Sequence, residues 1–145
     1  GSLSLFKKNK KKYPIIVTNA DAIIKINYEK LLKYHESKKN FLTIVTVLKN
    51  YTIPYGTCHL SKNGKLTKFL EKPNFNFFTN IGNYVIDSEV TKIIPKNKFI
   101  DFNELINFLL KMKKRIGIYP IEEGNWSDFG KIEDFRHQNK DFNEF

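Results

Sequence analysis

Apolar and polar positions along the chain change period several times, and each change marks an element. Residues 13–20 (YPIIVTNA) carry three consecutive β-branched residues, Ile15, Ile16 and Val17, before a polar stop, which predicts a strand. Residues 27–40 (NYEKLLKYHESKKN) place Tyr28, Leu31, Leu32 and His35 at i, i+3, i+4 and i+7, one face of a helix, with Asn27 in position to cap it. Residues 41–50 (FLTIVTVLKN) are apolar nearly throughout, as a central strand covered on both faces should be. Strand, helix, strand predicts a crossover unit and a parallel pair.

Farther along, two alternating runs flank Asn63-Gly64 in residues 55–73 (YGTCHLSKNGKLTKFLEKP), a strong hairpin signal. Residues 79–87 (TNIGNYVID) read as a strand. Ser88 is placed to cap a short helix through Ile94, with Pro95 as its stop. Asp101 and Glu104 have the spacing of a capping box ahead of a helix with Leu105, Phe108, Leu109 and Met112 on one stripe. Residues 114–122 (KRIGIYPIE) read as a further strand, and residues 124–135 (GNWSDFGKIEDF) turn into a terminal helix. No internal repeat or low-complexity linker interrupts the series, so the expectation is one α/β domain over residues 1–145, a mixed sheet with flanking helices and a β-hairpin.

Composition narrows the classes. A chain of 145 residues, 41% hydrophobic and 28% charged, has enough apolar surface to build a core. No apolar run approaches the roughly 18 residues of a membrane span. No basic-then-apolar-then-small leader pattern opens the chain, and the expected compartment is the cytoplasm. The net charge of +10 invites a nucleic-acid partner, but the chain has two arginines, Arg115 and Arg136, against 23 lysines. Bidentate phosphate and base contacts favour arginine, so the lysines read as solvated surface, and neither nucleic acid nor membrane is expected as a partner. Cys58 is the sole cysteine, and His35, His59 and His137 lie on separate elements without metal-ligand spacing, so no zinc site is expected.

What remains is a set of polar islands at strand ends, where open α/β sheets place ligand chemistry. One is Thr18-Asn19-Ala20-Asp21. A second is Glu71-Lys72-Pro73. A third is Trp126-Ser127-Asp128-Phe129-Gly130. Between them stands Asn80-Ile81-Gly82, where a glycine early in a strand would let a ligand approach the backbone. Singly, each fits a turn, a surface pair or a core aromatic; their order is what points to a site.

In that order they resemble the sugar nucleotidyltransferases, which join a sugar 1-phosphate to a nucleoside triphosphate and release pyrophosphate. VTNADAI resembles the family's V-x-N-G-D strand end. IPYGTCHLSKNGKLTKFLEKP resembles its P-Y-G, hairpin and E-K-P block. NIGNYVID resembles its N-x-G-x-Y strand, and YPIEEGNWSDFGKIEDF its W-x-D-x-G-x-x-x-D-[FY] block. The similarity runs from about residue 13 to about residue 136. It implies a Rossmann-like sheet. It also implies catalytic roles for Asp21, Asp128 and Lys72. Asp21 and Asp128 would be the carboxylates that bind Mg²⁺, and Lys72 the cation facing the sugar phosphate. Glu71 would bond sugar hydroxyls, Asn80, Gly82 and Trp126 would line the sugar pocket, and Tyr55 and Gly56 would lie beside it. The chemistry suits those residue types. Phosphoryl-type transfer asks for positioning and charge neutralisation more than for covalent help. The attacking phosphate, with a second pKa near 6, needs no enzymic base at neutral pH.

Two features depart from the family pattern. The glycine-rich loop that holds the nucleotide phosphates has no counterpart among the seven glycines, and Ala20 stands where the family has Gly. The chain therefore resembles the C-terminal part of a nucleotidyltransferase domain, the sugar-phosphate and metal side. An incomplete sheet is expected to leave an open edge beside residues 14–20, and a homo-oligomer or another associated chain would cover it. Two other readings fit fewer of these residues. A non-catalytic module of the same fold would bind a sugar phosphate without turnover. A metal-dependent glycosyltransferase would want D-x-D where the chain has Asn19-Ala20-Asp21.

Overall fold

The computed structural model describes residues 13–94 and 100–128. Pro95, the terminal helix, Phe129 and Gly130 lie outside the described residues. The centre of the fold is a four-stranded sheet in the order β1 (Ile15–Thr18), β6 (Asn74–Ile86), β3 (Leu42–Thr52), β7 (Ile116–Ile121). β6 runs antiparallel to both of its neighbours, and β7 runs parallel to β3. The crossover expectation is corrected here. β1 and β3 point the same way, but β6 lies between them. Burial explains the order: β6 is buried at every residue from Ile81 to Ile86 and takes an inner position, whereas half-exposed β1 suits an edge.

Helix α1 (Tyr28–Ser37) covers one face of the sheet, and α2 (Val90–Ile93) and α3 (Phe102–Lys111) cover the other. Leu31 packs with Val45, Val47, Ile81 and Val85, while Leu105 and Leu109 pack with Leu42, Tyr84, Ile86 and Val90. Alternation along β3 and β6 thus feeds two cores.

The cap predictions hold at the two long helices. The Asn27 side chain accepts from the Lys30 N–H at 2.9 Å, and Asp101 and Glu104 form the reciprocal capping box at 2.7 and 3.1 Å. Both helices end with a lysine in the left-handed region, Lys39 (φ 51°) and Lys113 (φ 53°), each closing a Schellman motif. At α2 the cap differs from expectation. Asp87, at the strand end, accepts from the Glu89 N–H at 2.7 Å, and Ser88 contributes only its carbonyl, to the Thr91 hydroxyl and N–H.

β3 and β6 run on together past the rest of the sheet, pairing as far as Thr52 and Asn74, and they carry the hairpin of β4 (Thr57–Leu60) and β5 (Leu66–Leu70). At its tip only Gly64 has positive φ (75°), and its N–H donates to the Ser61 carbonyl at 3.0 Å. Asn63-Gly64 therefore ends a four-residue turn rather than forming a two-residue primed one. Among the described residues no helix is long and apolar enough to cross a membrane.

His35 is a buried titratable group of the core. It is 1% exposed, with Nδ1 2.8 Å from the Thr43 hydroxyl, which also accepts from the Asn40 amide at 3.0 Å. Burial lowers its pKa below 6.5, against the opposing pull of the Asp87 and Glu36 carboxylates. A neutral imidazole is thus the folded form. Its contribution to stability is complete above pH about 6.5 and is lost as pH falls from there through the lowered folded value, because the unfolded chain takes up the proton first. Thermal melts between pH 7.5 and 5.5 are expected to fall more steeply for the natural chain than for His35→Gln. Parallel profiles would contradict this.

Candidate functional site

A short antiparallel ladder, made by segments far apart in the chain, assembles the site. β1 ends at Thr18, the chain turns through Asn19, Ala20 and Asp21, and β2 (Ala22–Ile24) begins. β2 pairs with β8 (Trp126–Asp128), Ala22 opposite Asp128 and Ile24 opposite Trp126. Asp21 therefore directly precedes the residue paired with Asp128, and both aspartates line one cavity of about 300 Å³. Two further ties hold β8. The Lys25 N–H donates to the Asn125 carbonyl at 2.8 Å, and the Lys49 ammonium pairs with Glu123 while lying 5.4 Å from the centre of the Trp126 ring. Trp126 lines the cavity too, and its Nε1–H is buried without a partner.

The opposite wall comes from a bulge in β6. The register jumps from Ile44 opposite Tyr84 to Thr46 opposite Asn80, so residues 81–83 stand against Val45 alone. Gly82 makes the bulge with φ 76°. Its N–H donates to the Asn80 side-chain oxygen at 3.0 Å, and its carbonyl accepts from the Asn19 N–H at 2.9 Å. The expected early-strand position of this glycine is corrected: Gly82 lies deep in β6, lining the cavity, with the Asn19 amide 2.4 Å from where a Cβ would stand. The Asn80 amide donates to the Tyr84 hydroxyl at 2.7 Å, and the Tyr84 ring stacks on Phe102 at 4.3 Å. Asn103, in the first turn of α3, completes the wall.

Chemically the cavity is polar at every side: two carboxylates, three amides, a phenol and an indole. Among the described residues no three His, Cys, Asp or Glu side chains gather as a metal cage. Two carboxylates facing an open cavity fit a hard cation that takes most of its ligands from substrate and water, and Mg²⁺ is that kind of ion. Ala20 has no left-handed backbone and is not among the residues that line the cavity.

The structure brings together Asp21, Asp128, Asn80, Gly82 and Trp126. It does not bring Glu71, Lys72, Tyr55 or Gly56 to the same cavity. These belong to the hairpin base, where a Cβ on Gly56 would come within 2.5 Å of the Phe69 ring and 3.0 Å of Glu71 Oε2. Lys72 adopts φ 43° with no helix end to account for it, a strained backbone of the kind concentrated at functional sites. Three cavity residues with polar side chains have no assigned role in the sequence reading: Asn19, Tyr84 and Asn103. The first two lie inside the quoted motifs. Asn103 has no such signal.

A sequence-family model described as nucleotidyl transferase matches residues 2–144. Glucose-1-phosphate adenylyltransferase from Bacillus subtilis (strain 168) is 28% identical over 138 residues, covering 88% of this chain and 36% of that protein. The enzyme of the same name from Mycoplasma mobile is 27% identical over 137 residues, covering 87% and 36%. The chain thus spans about a third of the length of these curated relatives. Among solved structures, HddC from Yersinia pseudotuberculosis shares the fold with a TM-score of 0.61 at 20% identity, covering 97% of this chain and 59% of HddC.

Proposed function

The chain belongs to the nucleotidyl transferase family, and from that premise we propose that it supplies the sugar-phosphate and metal side of an enzyme that joins a sugar 1-phosphate to a nucleoside triphosphate. The products are a nucleotide sugar and pyrophosphate. One observation carries the reading: the β2–β8 ladder sets Asp21 and Asp128 on a single cavity. Those two carboxylates would hold Mg²⁺, which supplies charge neutralisation between two anionic substrates. Asn80 fixes the Tyr84 hydroxyl and the Gly82 bulge, shaping the wall the sugar lies against. The Trp126 ring offers the sugar an apolar face, and its unpartnered Nε1–H is a donor in reserve. Glu71 we assign to sugar hydroxyls and Lys72 to the sugar phosphate, where a compact ammonium offsets charge without proton transfer. Tyr55 and Gly56 support them from the same hairpin. Use of nucleoside triphosphates assigns the reaction to the cytoplasm.

The test is pyrophosphate release by the complete gene product that carries these residues, over a panel of sugar 1-phosphates and nucleoside triphosphates with Mg²⁺. Release requiring both substrates is expected, and Lys72→Ala is expected to raise KM for the sugar phosphate by about tenfold, the loss of one charge-assisted contact. A folded protein that releases no pyrophosphate with any pair would overturn the enzymic reading and leave a sugar-phosphate-binding module.

A further inference from the structure

We infer that Asn103 is the amide that discriminates between sugars, by bonding a ring hydroxyl of the bound sugar phosphate; this rests on the cavity being the sugar-phosphate site. Three asparagines line that cavity, and their side chains are not equally available. The Asn80 amide is spent at both ends, donating to the Tyr84 hydroxyl and accepting from the Gly82 N–H. The Asn19 amide packs against Gly82, whose missing Cβ leaves it room, and so lies at the bulge rather than on a helix. Asn103 is exposed, and its side chain has no hydrogen-bond partner among the described residues.

Its place on the fold suits a selective contact. It sits in the first turn of α3, a helix pinned by the Asp101–Glu104 capping box and by the fully buried Leu105 and Leu109. An amide held on a rigid element meets a hydroxyl in one geometry and therefore tells an axial hydroxyl from an equatorial one. It both donates and accepts, as a hydroxyl does. Charge recognition, common to every sugar phosphate and selecting none of them, would fall to a cation held by the carboxylates and to the Lys72 ammonium.

Trp126 is the only tryptophan in the chain and lines the same cavity, so its fluorescence reports occupancy without any turnover. The complete gene product that carries these residues would be titrated with glucose 1-phosphate, galactose 1-phosphate, mannose 1-phosphate and inorganic phosphate, each with Mg²⁺ present, by this fluorescence or, where the product carries further tryptophans, by calorimetry. The natural sequence is expected to favour one epimer. Asn103→Ala is expected to weaken that epimer by about tenfold, bring the three sugars within about twofold of each other, and leave inorganic phosphate unchanged. Asn103 is exposed and makes no side-chain hydrogen bond among the described residues, and a thermal melt of Asn103→Ala checks that folding is kept. Binding with the preference between epimers intact in Asn103→Ala would overturn this inference alone. A natural chain that binds no sugar phosphate, or shows no preference, would overturn it as well, and the first of these outcomes would take the proposed site with it.

Discussion

Asp21→Asn is expected to cut pyrophosphate release by on the order of 10²- to 10³-fold, the several kcal/mol a bound metal contributes to charge stabilisation in the transition state. Asp128→Asn should do the same. Asparagine keeps the size of the side chain and one oxygen but removes the negative charge, so the loss falls on cation affinity. Asp21 is exposed, and β2 pairs with β8 through backbone groups, so melting of Asp21→Asn should match that of the natural protein. Raising Mg²⁺ should recover part of the activity, and a chelator should reduce the natural protein to the level of the variants. Release unchanged in Asp21→Asn, or indifferent to chelator, would remove this pair of carboxylates from the chemistry.

The features that sequence made legible are the local ones. Asn27 and the Asp101–Glu104 pair act on N–H groups three residues away, so their spacing alone identifies them. The apolar run of β3 and the alternation around Asn63-Gly64 likewise report their own conformation. Neighbours in the sheet are a different matter. The strand-helix-strand order gave the direction of β1 and β3 but not the insertion of β6, which is decided by how completely residues 81–86 can be buried.

The site followed the same division. β2 and β8 have three residues each, too few to show a period, and they pair across almost the whole described chain. Only the family resemblance placed Asp21 with Asp128. The resemblance also grouped Glu71 and Lys72 with them, and these two stand at the hairpin base, outside the cavity's own lining. Asn103 went unnoticed for a physical reason: the capping box beside it already explained the polar residues at the head of α3.

Gly82→Ala should be strongly damaging although it lies away from the carboxylates, and Gly64→Ala separates its causes. Both glycines have nearly the same left-handed backbone, φ 76° and 75°, so an alanine at either costs about 1–2 kcal/mol of conformational strain. At Gly64 the added methyl meets nothing within 4 Å. At Gly82 it falls 2.4 Å from Asn19 Nδ2 and 2.5 Å from Asn19 Cγ, so the Asn19 side chain must leave its place against the bulge. The Asn19 backbone is bonded to the Gly82 carbonyl and leads, two residues on, to Asp21. Gly64→Ala should therefore lower the thermal midpoint by a few degrees, roughly 2–4 °C per kcal/mol at this chain length, and leave the Mg²⁺ requirement unchanged. Gly82→Ala should lower the midpoint further and raise the Mg²⁺ concentration for half-maximal activity, because the clash displaces the turn that carries Asp21. Equal effects of the two variants on both measurements would mean that Asn19 gives way freely and that the bulge does not hold the carboxylate in place.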